Sequence, residues 1–204
     1  MIARRTILTI CLSLSLATVA AGSDVFDKIK ASLAEAECCH LEFLSVIESD
    51  VFDQVDSIYG VALIASDGRY DLQVGSDRYS FDLHRTYSFS AENNQVAIER
   101  PAPGSHPDEQ VTFVTSLDRY YTTEVLKPDS LYRLVIRPNV KAEIPDSLIV
   151  SIDADAEMIN QIEYYDINEE LNRFTILKQS IGIKCDEQRF TPDFPDSVEK
   201  LRLQ

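Results

Sequence analysis

Between residues 57 and 100, large apolar side chains fall on every second position: Tyr70, Leu72, Val74; then Tyr79, Phe81, Leu83; then Tyr87, Phe89. A period of two places them on one face of extended strands, with Asp71, Gln73, Ser80, Asp82 and Ser88 on the other. Asp67-Gly68 and Gly75-Ser76 fit tight hairpin turns, because glycine accepts positive φ. The stretch predicts a meander of consecutive antiparallel strands with an aromatic and aliphatic concave face. A long sheet of this kind must close, stack or be covered.

Upstream the period changes. Val25, Phe26, Ile29 and Leu33 recur at helical spacing, which predicts an amphipathic helix over 24–37 with Asp24 and Asp27 near its positive end. From Cys39 the period returns to two. Leu41, Phe43, Ser45 and Ile47 share one side, and His40, Glu42 and Glu48 the other. A helix feeding a strand of the meander is expected to lie on the sheet.

Downstream, Pro101, Pro103, Gly104 and Pro107 mark 101–109 as a loop. Phe113, Leu117, Tyr120, Tyr121 and Val125 fit a helical stripe, so 111–126 is read as one or two short helices. Strands follow at 131–137, 147–153, 159–165 and 173–179, with turns at 153–157 and 166–172. The apolar, proline-marked tail at 190–198 is expected to pack on a sheet edge. Roughly nine to eleven antiparallel strands with few helices favour a barrel-like sheet wide enough to hold a ligand.

The first 21 residues read as a signal peptide: Arg4-Arg5, an apolar run, then the small residues Val19-Ala20-Ala21. The run is too short and serine-rich for a membrane span. Residues 22–204 are then one domain, working in the periplasm. The chain carries a net charge of −15, and the leader holds two of its arginines and no acid. So acidic a protein repels nucleic acid and anionic headgroups, and like charge keeps its copies apart as monomers.

Little in the chain suggests catalysis. Gly-x-Ser-x-Gly, a phosphate loop and His-Glu-x-x-His are all absent. His40, His84 and His106 stand apart from any nucleophile. Asp153-Ala-Asp155-Ala-Glu157 has alternating carboxylates, but Met158 sits where a calcium loop needs glycine. No enzyme, metal or cofactor is expected. Cys38, Cys39 and Cys185 follow the leader. Their odd number suggests one pair and one leftover thiol: Cys185 with Cys39 or with Cys38. Buried unpaired thiols are the alternative.

Several ordered features resemble one family. After the helix–strand start, Gly60 opens a strand and Asp67-Gly68-Arg69-Tyr70-Asp-Leu72 gives a turn and aromatic strand. Asp82 to Tyr87-Ser-Phe89 leads to Gln95-Val96. Tyr132-Arg-Leu134, Phe174-Thr-Ile176 and Phe190-Thr-Pro192 to Val198 follow. In this order the chain resembles the LolA-like periplasmic carriers of outer-membrane lipoproteins, over about residues 24–203. The resemblance implies a mainly β fold, a half-open antiparallel β-barrel covered by an N-terminal helix and short internal helices as a lid. It implies binding of lipoprotein acyl chains between the two membranes. The implied partners are an inner-membrane lipoprotein-releasing ABC transporter complex and an outer-membrane acceptor. Ser66 stands where the family has a latch arginine, and the chain has no tryptophan.

Alternation then selects the cavity lining: Leu41, Phe43, Leu63, Tyr70, Leu72, Phe81, Tyr87, Phe89, Leu134, Ile136, Ile162 and Tyr164, with Phe26, Ile29 and Leu33 as the lid face. A register error of one residue inverts a whole strand. The carrier reading requires a hollow interior beneath the first helix. A filled core instead implies a periplasmic lipid-binding, sensor or interaction module of the same half-barrel fold without carrier activity.

Overall fold

The computed structural model describes residues 25–49, 54–101, 109–141 and 144–202. The leader at 1–21, Asp24 and most of the 101–109 loop, with His106, lie outside the described residues. Helix α1 (Val25–Glu35) leads into β1 (Cys38–Ser49) and β2 (Gln54–Ala65). The meander continues through β3 (Tyr70–Val74), β4 (Asp77–Phe81), β5 (Thr86–Ser90) and β6 (Gln95–Glu99). Short helices α2 (Glu109–Thr112) and α3 (Leu117–Tyr120) flank a 3-10 turn at Phe113–Thr115. A second meander follows: β7 (Tyr121–Lys127), β8 (Leu131–Ile136), β9 (Ser147–Asp153), β10 (Met158–Tyr165) and β11 (Leu171–Ile183). Helix α4 (Glu187–Phe190) and β12 (Glu199–Arg202) complete it.

All twelve strands form one open sheet, ordered β12-β6-β5-β4-β3-β2-β1-β11-β10-β9-β8-β7. The two meanders join where β1 pairs antiparallel with β11. The pairing is antiparallel throughout except at the edge, where β12 runs parallel to β6. The tail thus extends the sheet, and Phe194 stacks on Phe89 with ring centroids 5.5 Å apart. Residues 121–127 are strand rather than helix. Only Tyr121 of that segment is buried, so its Thr-rich, exposed sequence takes the extended form that β8 offers as a partner.

The sheet has an inner and an outer face, each with its own cover. The inner-face cluster runs from Tyr70 and Phe81 through Leu41 and Phe43 to Tyr132, Leu134 and Val150. Helix α1 packs on it through Phe26, Ile29 and Leu33, which are 0–2 % exposed. Burial of this size stabilises by roughly 1.5–3 kcal/mol for each side chain. Phe26 stacks on Tyr132 at 4.5 Å. The outer face is covered by the C-terminal segment from Cys185 onward, through two smaller clusters around Phe190 and around Val198.

Register corrects three of the expected lining positions. Leu41 pairs with Ala62, so the even-numbered residues of β2 face inward. Leu63 faces outward, among Cys38, Cys185 and Phe190. The run Val61-Ala-Leu-Ile-Ala65 is apolar on both faces, and alternation has no contrast to read there. Between β4 and β5, Asp82 closes a four-residue turn by accepting from the N–H groups of His84 (2.8 Å) and Arg85 (2.7 Å). Leu83 sits in that turn at φ 76° rather than in the strand. Phe81 consequently pairs with Thr86, which turns Tyr87 and Phe89 to the outer face against Val96 and Val198.

The disulfide joins Cys38, not Cys39, to Cys185, with Cα atoms 5.4 Å apart. Adjacent strand residues point to opposite faces, and the tail that carries Cys185 crosses the outer one. Cys39 is free and buried among the inner-face residues. Burial pushes its thiol up to about 12.

Candidate functional site: an apolar hollow on the inner face

Two short strand segments leave space because one of their residues has no side chain. Gly60 pairs with Phe43. A Cβ at Gly60 would meet three ring carbons of Phe43, the farthest 2.9 Å away. The ring therefore lies flat over the neighbouring backbone instead of standing into the interior. Beside it, Ala62 and Ser45 are small. The result is a cavity of about 370 Å³ floored by Leu41, Phe43, Ala62, Ile64, Leu72 and Val74. That volume lies at the lower end of the roughly 300–1,000 Å³ typical of small-molecule sites.

Ile162, Tyr164, Phe174 and Ile176 form the cavity's wall on β10 and β11. Tyr164 stacks on Phe174 at 6.0 Å, nearly parallel, and Phe43 meets Phe174 at 5.7 Å. The roof is Val111, Phe113 and Val114, from α2 and the 3-10 turn. Ile47 and Ile58, both partly exposed, mark the mouth. Ser45 supplies the polar side chain closest to the floor, and among the described residues nothing charged lines the hollow.

Of the lining residues selected by alternation, Leu41, Phe43, Leu72, Ile162 and Tyr164 line this space. Tyr70, Phe81, Leu134 and Ile136 belong to the same inner-face cluster but lie in its packed part. Phe26, Ile29 and Leu33 do not line the cavity either; beneath α1 the interior is filled by side chains such as Tyr132. The hollow expected beneath the first helix is therefore not found there among the described residues, where side chains fill the space; the cavity lies instead beside α1, under the second helical segment. Phe174 and Ile176, noted in the sequence only as part of the ordered family pattern, were not among the selected lining residues. Ala62 and Ile64 were hidden by the two-sided apolar run. Val111 has no partner in sequence that signals its role as roof.

Polar groups fasten the surroundings. Lys30, only 7 % exposed on α1, reaches Asp118 at 2.7 Å, Asp27 at 3.0 Å and Thr123 Oγ1 at 3.3 Å. Burial works against its charge, but the Asp118 and Asp27 carboxylates outweigh that and hold its pKa above the ordinary value. Ser66 donates its backbone N–H to the Glu37 carbonyl. Nearby Arg69 grips the outer-face cover: it pairs with Asp67 at 2.8 Å and with Glu187, and lies 4.7 Å from the Phe190 ring centre. Burial, aided by the charge of Asp166, raises the pKa of the Tyr164 phenol above its ordinary value.

Among the described residues no helix is long and apolar enough to cross a membrane, and no cluster of three His, Cys, Asp or Glu side chains could hold a metal ion.

No family model matches the chain, and no curated protein does. Solved structures do. An uncharacterized conserved protein from Thermus thermophilus matches 88 % of this chain and 97 % of its own, at 8 % identity and a TM-score of 0.53. A LolA superfamily protein from Nitrosomonas europaea matches 81 % of this chain and 96 % of its own, at 7 % identity and TM-score 0.43. An outer membrane lipoprotein-sorting protein domain from Vibrio parahaemolyticus matches 81 % and 94 %, at 11 % identity and TM-score 0.35. At 8 % identity the likeness to the first of these is one of fold alone.

Proposed function

We propose that the protein is a periplasmic carrier that binds the acyl chains of lipoproteins in its inner-face hollow and shuttles them from the inner to the outer membrane. It acts by binding rather than by catalysis. An inner-membrane lipoprotein-releasing ABC transporter complex would load it, and an outer-membrane acceptor would unload it. The observation that carries this reading is the apolar cavity of about 370 Å³ beneath Val111, Phe113 and Val114.

The physics of such a task suits the site. Each methylene kept from water contributes about 0.8 kcal/mol, so a lipid tail does not cross the periplasm bare. Burial without directional bonds holds the tail yet lets it leave for an equally apolar environment. The roof consists of one-turn elements, Glu109–Thr112 and Phe113–Thr115. Helices this short have little stability of their own and depend on what they pack against. A tail entering beneath Phe113 replaces the contacts that the roof makes with the floor. Among the described residues the lining carries no charge to desolvate, and its side-chain polar groups are the Ser45 and Tyr164 hydroxyls.

The test is titration of the purified mature protein with a fluorescent fatty-acid probe, as free acid and as methyl ester. Saturable binding that is lost when Ala62→Trp fills the floor supports the carrier. Absence of binding by either form rules it out and leaves an interaction module with a closed interior.

A further inference from the structure

A second hollow adjoins the first. It measures about 970 Å³ and shares Phe113 and Tyr164 with the apolar cavity. These two rings stand between the chambers. The larger chamber differs in chemistry. Asp146 and Asp166, at the strand ends, place two carboxylates on its wall, with Asn172 from the inner face beside them; Glu163, which also borders it, lies on the outer face, where it pairs with Arg173. Arg173 is the one cation of its lining, and that guanidinium is already engaged by Glu163 and by Glu48, each at 2.6 Å. No lysine or histidine among the described residues lines it.

We propose that this chamber is the polar half of one amphiphile site, and that it selects ligands whose group next to the acyl chain is uncharged or cationic over those carrying a phosphate or other anion. The inference rests on the acyl-chain reading above and adds the class of head that the site accepts. An apolar cavity alone takes any tail. What discriminates is the wall that the tail's polar end must lie against. A concave wall with an excess of negative charge, bordered by low-dielectric protein, focuses its potential into the space it encloses. An anion entering there meets carboxylates and, among the described residues, finds no free cation to pair with. A peptide or ammonium group meets acceptors: the Asp146 and Asp166 carboxylates and the Asn172 amide. The sharing of Phe113 and Tyr164 matters because it fixes the two halves at adjoining positions, as the tail and head of one molecule require.

Three chain-matched probes test this at submicellar concentration and low salt: dodecyl maltoside, dodecyltrimethylammonium and dodecyl phosphate. The neutral and cationic probes should bind about tenfold more tightly than the phosphate, and the gap should narrow as salt screens the wall. In Asp146→Asn/Asp166→Asn the gap should close. Asparagine keeps an oxygen for the Asn168 and Glu170 N–H groups that Asp166 accepts, so the turn is retained. In Glu92→Gln/Glu99→Gln, which removes equal charge at the far end of the sheet, the gap should persist. Equal binding of all three probes by the native protein at low salt overturns the inference while leaving the acyl-chain reading intact. So does equal loss of the gap in both double variants. Failure of all three probes to bind removes the acyl-chain reading and this inference with it.

Discussion

The two faces of the sheet are covered by quite different means. On the outer face the C-terminal segment is bolted down. Cys185 is bonded to Cys38, Arg69 grips Glu187, and Arg189 reaches across to Asp71 at 2.7 Å, where Arg78 meets the same carboxylate at 2.6 Å. Asp71 is 1 % exposed, and Ser80 donates to it as well. On the inner face the cover is divided. Helix α1 is seated on a filled core and tied by Lys30, whereas the adjoining roof is held over empty space by three apolar side chains. Strong, directional fastening belongs to the face that stays shut. Weak, non-directional contact belongs to the face that would admit a ligand. The comparison predicts that damage to the outer face lowers stability and spares binding, and that damage to the hollow does the reverse.

The largest effect should come from the disulfide. Its loss frees a loop spanning a sequence separation of 147, which costs about 5 kcal/mol on chain-entropy grounds. Cys38→Ala/Cys185→Ala should shift the urea midpoint by a corresponding amount, while probe affinity well below that midpoint stays as in the native protein. A parallel loss of affinity would show that the outer cover also shapes the hollow.

Next is Asp71→Asn. The amide keeps the volume but leaves Arg78 and Arg189 without their shared counter-charge. Breaking a buried pair by removing one partner is expensive. Both arginines remain about one-third exposed, so water offsets part of the loss and about 2–3 kcal/mol is expected. Replacing the whole set by apolar residues should cost less than the single change, and comparing the two urea midpoints checks that.

The same comparison explains which features were legible in the chain. Alternation identified the strands because Tyr70-Asp-Leu72 and Leu41-Glu-Phe43 contrast sharply from one residue to the next. The helix at 25–35 was equally plain. What alternation could not supply was parity across turns. Asp82 spends four residues closing the β4–β5 turn, and that even count sends Tyr87 and Phe89 outward. Nor could it separate faces where both are apolar, as at Leu63, or choose between adjacent cysteines. The outer face looked polar at Asp71 and Ser80, yet both are buried under a tail more than a hundred residues downstream. The hollow itself depends on Gly60 lying opposite Phe43, a pairing visible only once register is known.

That pairing supplies the third test. Gly60→Val places a side chain where the Phe43 ring now lies, and the ring must tilt into the cavity. Overpacking of this kind costs about 1–2 kcal/mol, less than either change on the outer face. Probe affinity should fall about tenfold, since the displaced ring occupies the floor that the tail would use. An unchanged affinity would place binding elsewhere than beside Phe43.

The smallest effect should come from Lys30, which ties α1 across to Asp118 and Thr123. Lys30→Met keeps the aliphatic stem against Phe26 and removes the ammonium. Asp27 and Asp118 are largely exposed and can turn to water, so the net loss should be about 1 kcal/mol. Its pH dependence identifies the cause. The lysine's pKa is raised in the folded chain, so the protonated form is the one that folding favours. Its contribution is complete below the ordinary value of 10.5 and disappears only as pH climbs through the higher folded value. The stability difference between native protein and Lys30→Met should therefore stay constant around neutrality, where Asp27 and Asp118 are ionised, and on the alkaline side shrink only as pH climbs through the raised lysine value. A difference that changes with pH near neutrality would mean that something other than the ammonium holds α1 to α3 and β7. Because α1 rests on packed side chains and not over the hollow, the variant should bind the probe as tightly as the native chain. Were its affinity to rise or fall several-fold, α1 and the roof would move as one cover, and the division between the tied and untied parts of the inner face would have to be redrawn.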